Sequence, residues 1–263
     1  MNLIGDTQLM KQSKADLVAA LQSLGFTDVT TATPLSEIAE LMKWAGGLRD
    51  VMLACVPKSG GNQVFFTREQ WAAMSVTSKN AYISIGVRVR AERTQFIVAK
   101  TDATTETGST SMSWCTAAGT DVPGLRNYKG DPAMFKDLDA KSNTDKILAC
   151  VESAGITCPA ATRARAYKAA TAANGGYDDP TEWSLPTVGQ MLIMYKYLVE
   201  INAELQHYFD STNTYTNYTY WTSNEYDASG AWYVNMYNGY VYFSTKTISL
   251  RVRAVASVVE SAI

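Results

Sequence analysis

The sequence predicts an α+β protein in two parts: a small N-terminal α+β domain over residues 1–102 and a larger C-terminal domain over 112–263. Three observations carry this prediction. Before about residue 210, apolar residues recur mostly at helical spacing. From about residue 211 the period changes to two, with turn signals at Ser229-Gly230 and Asn238-Gly239. Between the two parts, "TDATTETGSTS" (101–111) has no apolar residue beyond one alanine, which marks a linker. Helices followed by strands within one domain is an α+β order.

The elements follow in turn. "SKADLVAALQSL" (13–24) has an N-cap serine and helical apolar spacing, and Gly25 stops it. "PLSEIAELMKWAGG" (34–47) predicts a second helix, with Pro34 near its start and Gly46-Gly47 past its end. "GNQVFFTREQWAAM" turns from strand into helix, with Thr67 and Gln70 in a capping-box pattern. "YISIGVRVRAERTQFIVAKTD" alternates apolar and polar residues as a half-buried strand pair does. Beyond the linker, "NTDKILACVESAG" and "PAATRARAYKAAT" read as helices, and "NGGYDDPTE" as a loop. "TVGQMLIMYKYLVEINAEL" reads as one long helix capped by Thr187.

Composition narrows the function. Hydrophobic residues make up 46% of the 263 and charged residues 18%, enough to bury a core and too apolar for disorder. The net charge of −2 and the absence of a basic run remove the footprint of a nucleic-acid binder. No apolar run reaches the roughly 18 residues of a membrane span. The start, "MNLIGDTQLMKQSKADL", lacks a basic-then-apolar order, so no signal peptide is predicted. Cys55, Cys115, Cys150 and Cys158 are widely spaced and form no C-x-x-C, which excludes a zinc finger and gives no redox motif. Buried free thiols are expected, with a Cys150–Cys158 disulfide as the open alternative.

The tract "AWYVNMYNGYVYFSTK" (231–246) is the most informative stretch. Alternation puts Trp232, Val234 and Met236 on one face and Tyr233, Asn235 and Tyr237 on the other. Asn238-Gly239 predicts a type I′ hairpin turn, after which Val241 points inward and Tyr240 and Tyr242 outward. Residues 211–250 hold eight of the fifteen tyrosines but only three charged residues, Glu225, Asp227 and Lys246. An ordinary exposed sheet face is relieved by lysine or glutamate. Tyrosine among Ser, Thr, Asn and Gly is instead the composition of a paratope, with large contact area at low rotamer entropy.

Four ordered motifs surround this tract: "WSLPTVGQMLIMYKYLVEIN" (183–202), "YWTSNEYDASGAWYVN" (220–235), "NGYVYFSTK" (238–246) and "LRVRAVASV" (250–258). Over about 112–263 the chain resembles the C-type-lectin-fold variable proteins of diversity-generating retroelements, the group of the phage major tropism determinant. The resemblance implies a C-type-lectin-like scaffold whose fixed residues are Trp183, Leu185, Pro186, Trp221, Ser223, Glu225, Trp232, Val234, Arg251 and Arg253. It implies a variable ligand-binding surface made of Asp227, Ser229, Gly230, Tyr233, Tyr237, Tyr240, Tyr242, Phe243, Ser244, Thr247, Ile248 and Leu250. Mutagenesis in such systems acts on adenines, often in Asn codons, and every one of these residues is reachable from them. The unreachable types within 220–250 fall at Trp221, Glu225, Trp232, Met236 and Lys246, among the expected framework.

The implied function is that of a tail-associated receptor-binding protein of a phage, made in the cytoplasm and carried in the virion. Its partner would be a host cell-surface protein or glycan, and it would act as a homotrimer whose N-terminal domain meets other virion proteins. An undiversified lectin-like structural virion or cell-surface protein is the alternative. Formylglycine-generating enzymes share the fold class but need late cysteines, and the last one here is Cys158. Sugar-binding lectins hold calcium through E-P-N and W-N-D motifs, whereas the matching stretch here is "WYVN". No catalytic residue, metal ligand or cofactor site is predicted. His207, the only histidine, reads as a capping or surface residue, and Asp178-Asp179 before Pro180 as a turn.

Overall fold

The structure, a computed structural model, describes residues 14–16, 18–19, 22, 30–34, 50–91, 94–168, 179–209, 214–215 and 218–259. Residues 14–16, 18, 19 and 22 are helical, within the first predicted helix. The helix predicted over 34–47 lies outside the described residues except for Pro34. Two compact units divide the chain: 1–50 with 90–94, and 51–89 with 95–263.

Strand β1 (Asp50–Pro57), all but its first residue in the second unit, is followed by β2 (Val64–Phe66), then helices α1 (Arg68–Ala73) and α2 (Val76–Lys79). Thr67 and Gln70 close the predicted capping box of α1, each side chain accepting from the other's backbone N–H. Strands β3 (Tyr82–Ala91) and β4 (Thr94–Ala99) follow, then β5 (Ser111–Ser113), a 3-10 turn (Pro132–Lys136), α3 (Ala140–Ala154) and α4 (Pro159–Arg165). The remainder is β6 (Trp183–Ser184), α5 (Val188–Lys196), α6 (Leu198–Tyr208), β7 (Thr219–Asp227), β8 (Gly230–Asn235), β9 (Val241–Thr245), β10 (Ser249–Arg251) and β11 (Val255–Ser257).

These strands form two sheets, ordered β2-β1-β3-β4-β11-β6 and β5-β10-β7-β8-β9. The first corrects the predicted domain boundary. Val98 pairs with Val255, Ile97 with Ala256 and Phe96 with Ser257, so the early strands share a sheet with the end of the chain. The physical reason is burial. Ile83, Ile85, Val87 and Val89 of β3 are buried, as are Phe96, Ile97, Val98 and Ala99 of β4, and a strand pair alone cannot cover both its faces. The stretch 101–111 is likewise no linker. Ala103 is buried and its N–H donates to the Val252 carbonyl at 2.8 Å.

Two more expectations change. The long helix after Thr187 is two helices, broken at Tyr197, where φ is −113° and ψ 30°. Cys158 is bonded to Cys115 across 43 residues, while Cys150 and Cys55 are buried free thiols. Closing a loop of that length removes unfolded-state entropy corresponding to about 4 kcal/mol at most.

Candidate functional site

The site is built on the β7–β8–β9 meander, and its framework explains the motifs. In the segment 220–225, the Trp221 indole N–H donates to the Met112 carbonyl at 3.0 Å, and the Thr222 hydroxyl to the Trp232 carbonyl at 2.8 Å. Ser223 N–H donates to the Pro186 carbonyl at 2.7 Å, and Val188 N–H to Asn224 Oδ1 at 2.7 Å, which docks the start of α5 onto β7. Asp137 Oδ2 receives the amides of both Asn224 (2.6 Å) and Asn143 (2.8 Å).

Glu225 ends this run, and its carboxylate is fully buried against the equally buried ammonium of Lys246. Burial pushes the Glu225 carboxyl up, while Lys246 and the Val122 N–H oppose that shift. Lys246 also donates to the Thr120 carbonyl at 2.7 Å and lies 5.0 Å above the Trp114 ring. The remaining motifs are tied in the same way. The Trp183 indole N–H donates to Asp179 Oδ2 at 2.8 Å, and Thr187 closes a capping box with Gln190. Arg251 and Arg253 converge on Asp102 at 2.7 and 2.6 Å. Asp102 lies in the stretch read as a linker, and its partners are about 150 residues away, so local sequence carries no signal for it.

On this framework the hairpin displays two aromatic groups, one on each face. Trp221 pairs with Tyr233, and Tyr233 with Tyr242, so these three share a face. Their rings run outward from the core: Trp221 to Tyr233 at 6.0 Å, Tyr233 to Tyr242 at 6.0 Å, and Tyr242 to Tyr240 at 5.8 Å. Trp221 is fully buried and Tyr233 half-buried, while Tyr242 is 46% exposed and Tyr240 57%. Trp232 pairs with Phe243 on the other face, where Phe243 stacks on Tyr226 at 3.6 Å. Trp232 is half-buried there, against a small cluster of Tyr128, Met134 and Val188. The predicted inward position of Trp232 is therefore only partly realised: Val234 and Met236 are buried, but the indole forms the floor of a second exposed aromatic group.

The hairpin forms at Asn238-Gly239 but without the two-residue type I′ turn. Asn235 N–H donates to the Tyr240 carbonyl and Gly239 N–H to the Asn235 carbonyl, which gives a wider loop. Gly239 has φ 73°, and a Cβ there would lie 2.3 Å from the Tyr195 ring. The loop tip thus rests on α5, and Tyr237 stands out from it, 70% exposed.

The twelve predicted binding residues do not form one patch. Tyr233, Tyr240, Tyr242 and Ser244 share the first face, and Phe243 lies on the second. Thr247 and Ile248 are exposed between β9 and β10. Asp227, Ser229 and Gly230 sit at the opposite end of the hairpin from Tyr237. Gly230 is buried, and a Cβ there would lie 3.3 Å from the Ser244 carbonyl, so it is a packing position. Leu250 packs partly against the main core. Asp227 holds its turn: its Oδ1 accepts from Ser229 N–H (2.9 Å), the Ser229 hydroxyl (2.8 Å) and Gly230 N–H (3.1 Å), with Lys129 on its other oxygen. These donors hold the Asp227 carboxyl at about 2.

A family model described as the Lcl C-terminal domain matches residues 103–256. The chain belongs to this family. The Lcl C-terminal domain family is tied to the retroelement-diversified variable proteins of C-type-lectin fold, which is the resemblance the four motifs carry. No curated protein matches the chain. The matched residues contain the whole β5–β10–β7–β8–β9 sheet, so both aromatic groups lie within the Lcl domain. Two surface grooves, of about 240 and 260 Å³, lie elsewhere and include none of the twelve residues. His207 is exposed in the last turn of α6, with its ring against Tyr208. Asp179 is buried as the acceptor for Trp183, in keeping with a turn role, and Asp178 lies outside the described residues. Among the described residues no group of three His, Cys, Asp or Glu is placed to hold a metal, and no helix is long and apolar enough to cross a membrane.

Proposed function

We propose that this chain is a binding protein rather than an enzyme, and that it displays its uncharged aromatic hairpin to a host cell-surface molecule as a tail-associated receptor-binding component of a phage. The observation that supports this most is the contrast within one hairpin. Tyr237, Tyr240, Tyr242 and Phe243 are between 46% and 70% exposed, while the framework residues Trp221, Ser223, Glu225, Val234 and Lys246 beside them are fully buried. A surface free to vary on a core that is not is what diversification requires. The N-terminal residues would serve as the attachment element, because the hairpin must stay free. The buried, satisfied Glu225–Lys246 pair and the exposed His207 leave no acid–base cluster at the hairpin, which favours binding over catalysis.

The test is a binding titration against surface extract of candidate host cells. Alanine at Tyr237, Tyr240 and Tyr242 together is expected to weaken binding roughly 30-fold or more, the scale of a hot spot of about 2 kcal/mol. Unchanged binding by the triple variant would place the site elsewhere.

A further inference from the structure

Tyr237 and Tyr240 project from the hairpin tip, both exposed, but the tip is folded by other groups. Tyr237 N–H donates to Asn235 Oδ1 at 2.9 Å, and Gly239 N–H to the Asn235 carbonyl at 2.8 Å. One residue thus accepts from both limbs of the loop. Asn235 N–H donates in turn to the Tyr240 carbonyl at 2.9 Å, and Tyr240 N–H to Asn238 Oδ1 at 3.1 Å. Met236 is buried, and its N–H donates to the Tyr218 carbonyl at 2.9 Å. None of these bonds uses a tyrosine ring.

The tip is also seated on a helix. Gly239 has φ 73°, in the left-handed region that glycine adopts without strain. A Cβ there would lie 2.3 Å from Cε1 of Tyr195 and 2.7 Å from its Cδ1 and Cζ, so only glycine lets the main chain come this close to the ring. Tyr195 is half-buried in the last turn of α5. That helix is itself fixed at its other end: the Thr187 hydroxyl donates to the Asp137 carbonyl at 2.6 Å, and Val188 N–H to Asn224 of β7. The ring under the tip therefore belongs to the framework.

We infer that Tyr195, Gly239 and Asn235 are positioning residues for the hairpin, holding its tip in one shape whichever side chains are displayed at 237 and 240. The inference rests on the reading of the hairpin as a binding surface. A loop already held in its bound shape loses less conformational freedom when a partner docks. Part of the affinity then comes from groups that need not touch the partner. The same device lets the displayed rings change without the tip having to refold.

Amide hydrogen exchange tests the tip without a ligand. Y195A and N235A are expected to speed exchange at Gly239 and Tyr237 by about tenfold or more, with the amides of β7 unchanged. Y195F keeps the ring and N235D keeps an acceptor for Tyr237 N–H, so each should restore protection. Unchanged exchange in Y195A, or faster exchange throughout the sheet, would overturn the inference. So would Y195F behaving as Y195A does. In a titration against surface extract of candidate host cells, Y195A and N235A are expected to weaken binding about fivefold or more, the scale of ordering one residue, with every displayed tyrosine intact. G239A should weaken binding too, but by less when Tyr195 is already alanine, because the added methyl then meets no ring. Losses that simply add would show that the glycine does not accommodate Tyr195. A tip loosened in exchange but binding at wild-type strength would also refute the positioning role. The triple variant at Tyr237, Tyr240 and Tyr242 keeps the two failures apart: if it binds unchanged, the hairpin is not the binding surface, whatever the exchange rates at its tip.

Discussion

Lys246 shows how much a single residue decides here. It is the one cation in the tyrosine tract, yet it lies in the core, bonded to Glu225 and to the Thr120 carbonyl. Breaking a buried pair leaves an uncompensated charge, so K246M is expected to cost about 3–5 kcal/mol in urea unfolding. The double change E225L with K246M removes both charges and should recover most of that loss. Asp227 makes the opposite contribution, near solvent. Its carboxyl is held at about 2 by Ser229, Gly230 and Lys129, below the unfolded value of roughly 3.9. A depressed folded pKa gives stability that is present above the unfolded pKa and is lost as pH falls from about 4 to about 2. D227N is therefore expected to flatten the acid limb of the stability curve in that window, by about 1 kcal/mol after solvent screening. The sequence marked Glu225 and Lys246 as framework because their codons lie outside the diversified set. It did not show that they bond each other, nor that Asp102 completes Arg251 and Arg253. Those pairings depend on chain reversal, which no local pattern records.

At the scale of elements, period-two alternation was readable because it is local. The meander, the inward Val234 and Met236 and the outward Tyr240 and Tyr242 stand where alternation put them. Trp232 did not follow as fully, because β8 has a cluster on each of its faces and side-chain size alone cannot tell which is the core. The contrast between framework and display is therefore best measured at Trp221. Its side chain is fully buried with its N–H satisfied, so W221A is expected to cost about 3–5 kcal/mol. Y237S, Y240S and Y242S each change an exposed ring and should cost less than about 1 kcal/mol. Chemical denaturation of the four variants separates the classes. Equal losses would mean that the tyrosines are structural. The helix break at Tyr197 was hidden because apolar spacing runs on through it.

For the whole molecule, the predicted boundary failed because β4 finds its partner in β11, about 160 residues later, and contact at that separation leaves no mark on either strand alone. What survived is the division of labour: a C-terminal sheet fixed by buried polar pairs, with an uncharged aromatic hairpin on its outside. This division bears on how the molecule should bind. Around the displayed rings the charged groups are already committed, Lys129 to Asp227 and Lys246 to Glu225. Affinity must then come from aromatic burial and short-range hydrogen bonds, because screening acts mainly on exposed, unpaired charge. Binding to host surface extract is expected to change less than about threefold between low and physiological salt, since a contact that releases few counterions has a shallow salt slope. The same titration should be unaffected by a calcium chelator. Calcium takes six to eight oxygens, and the two carboxylates carried by the β7–β9 segment are occupied, Glu225 by Lys246 in the core and Asp227 by its own turn. A steep salt slope would point to a charged site elsewhere on the molecule. Loss of binding with chelator would instead make the chain a calcium-dependent lectin.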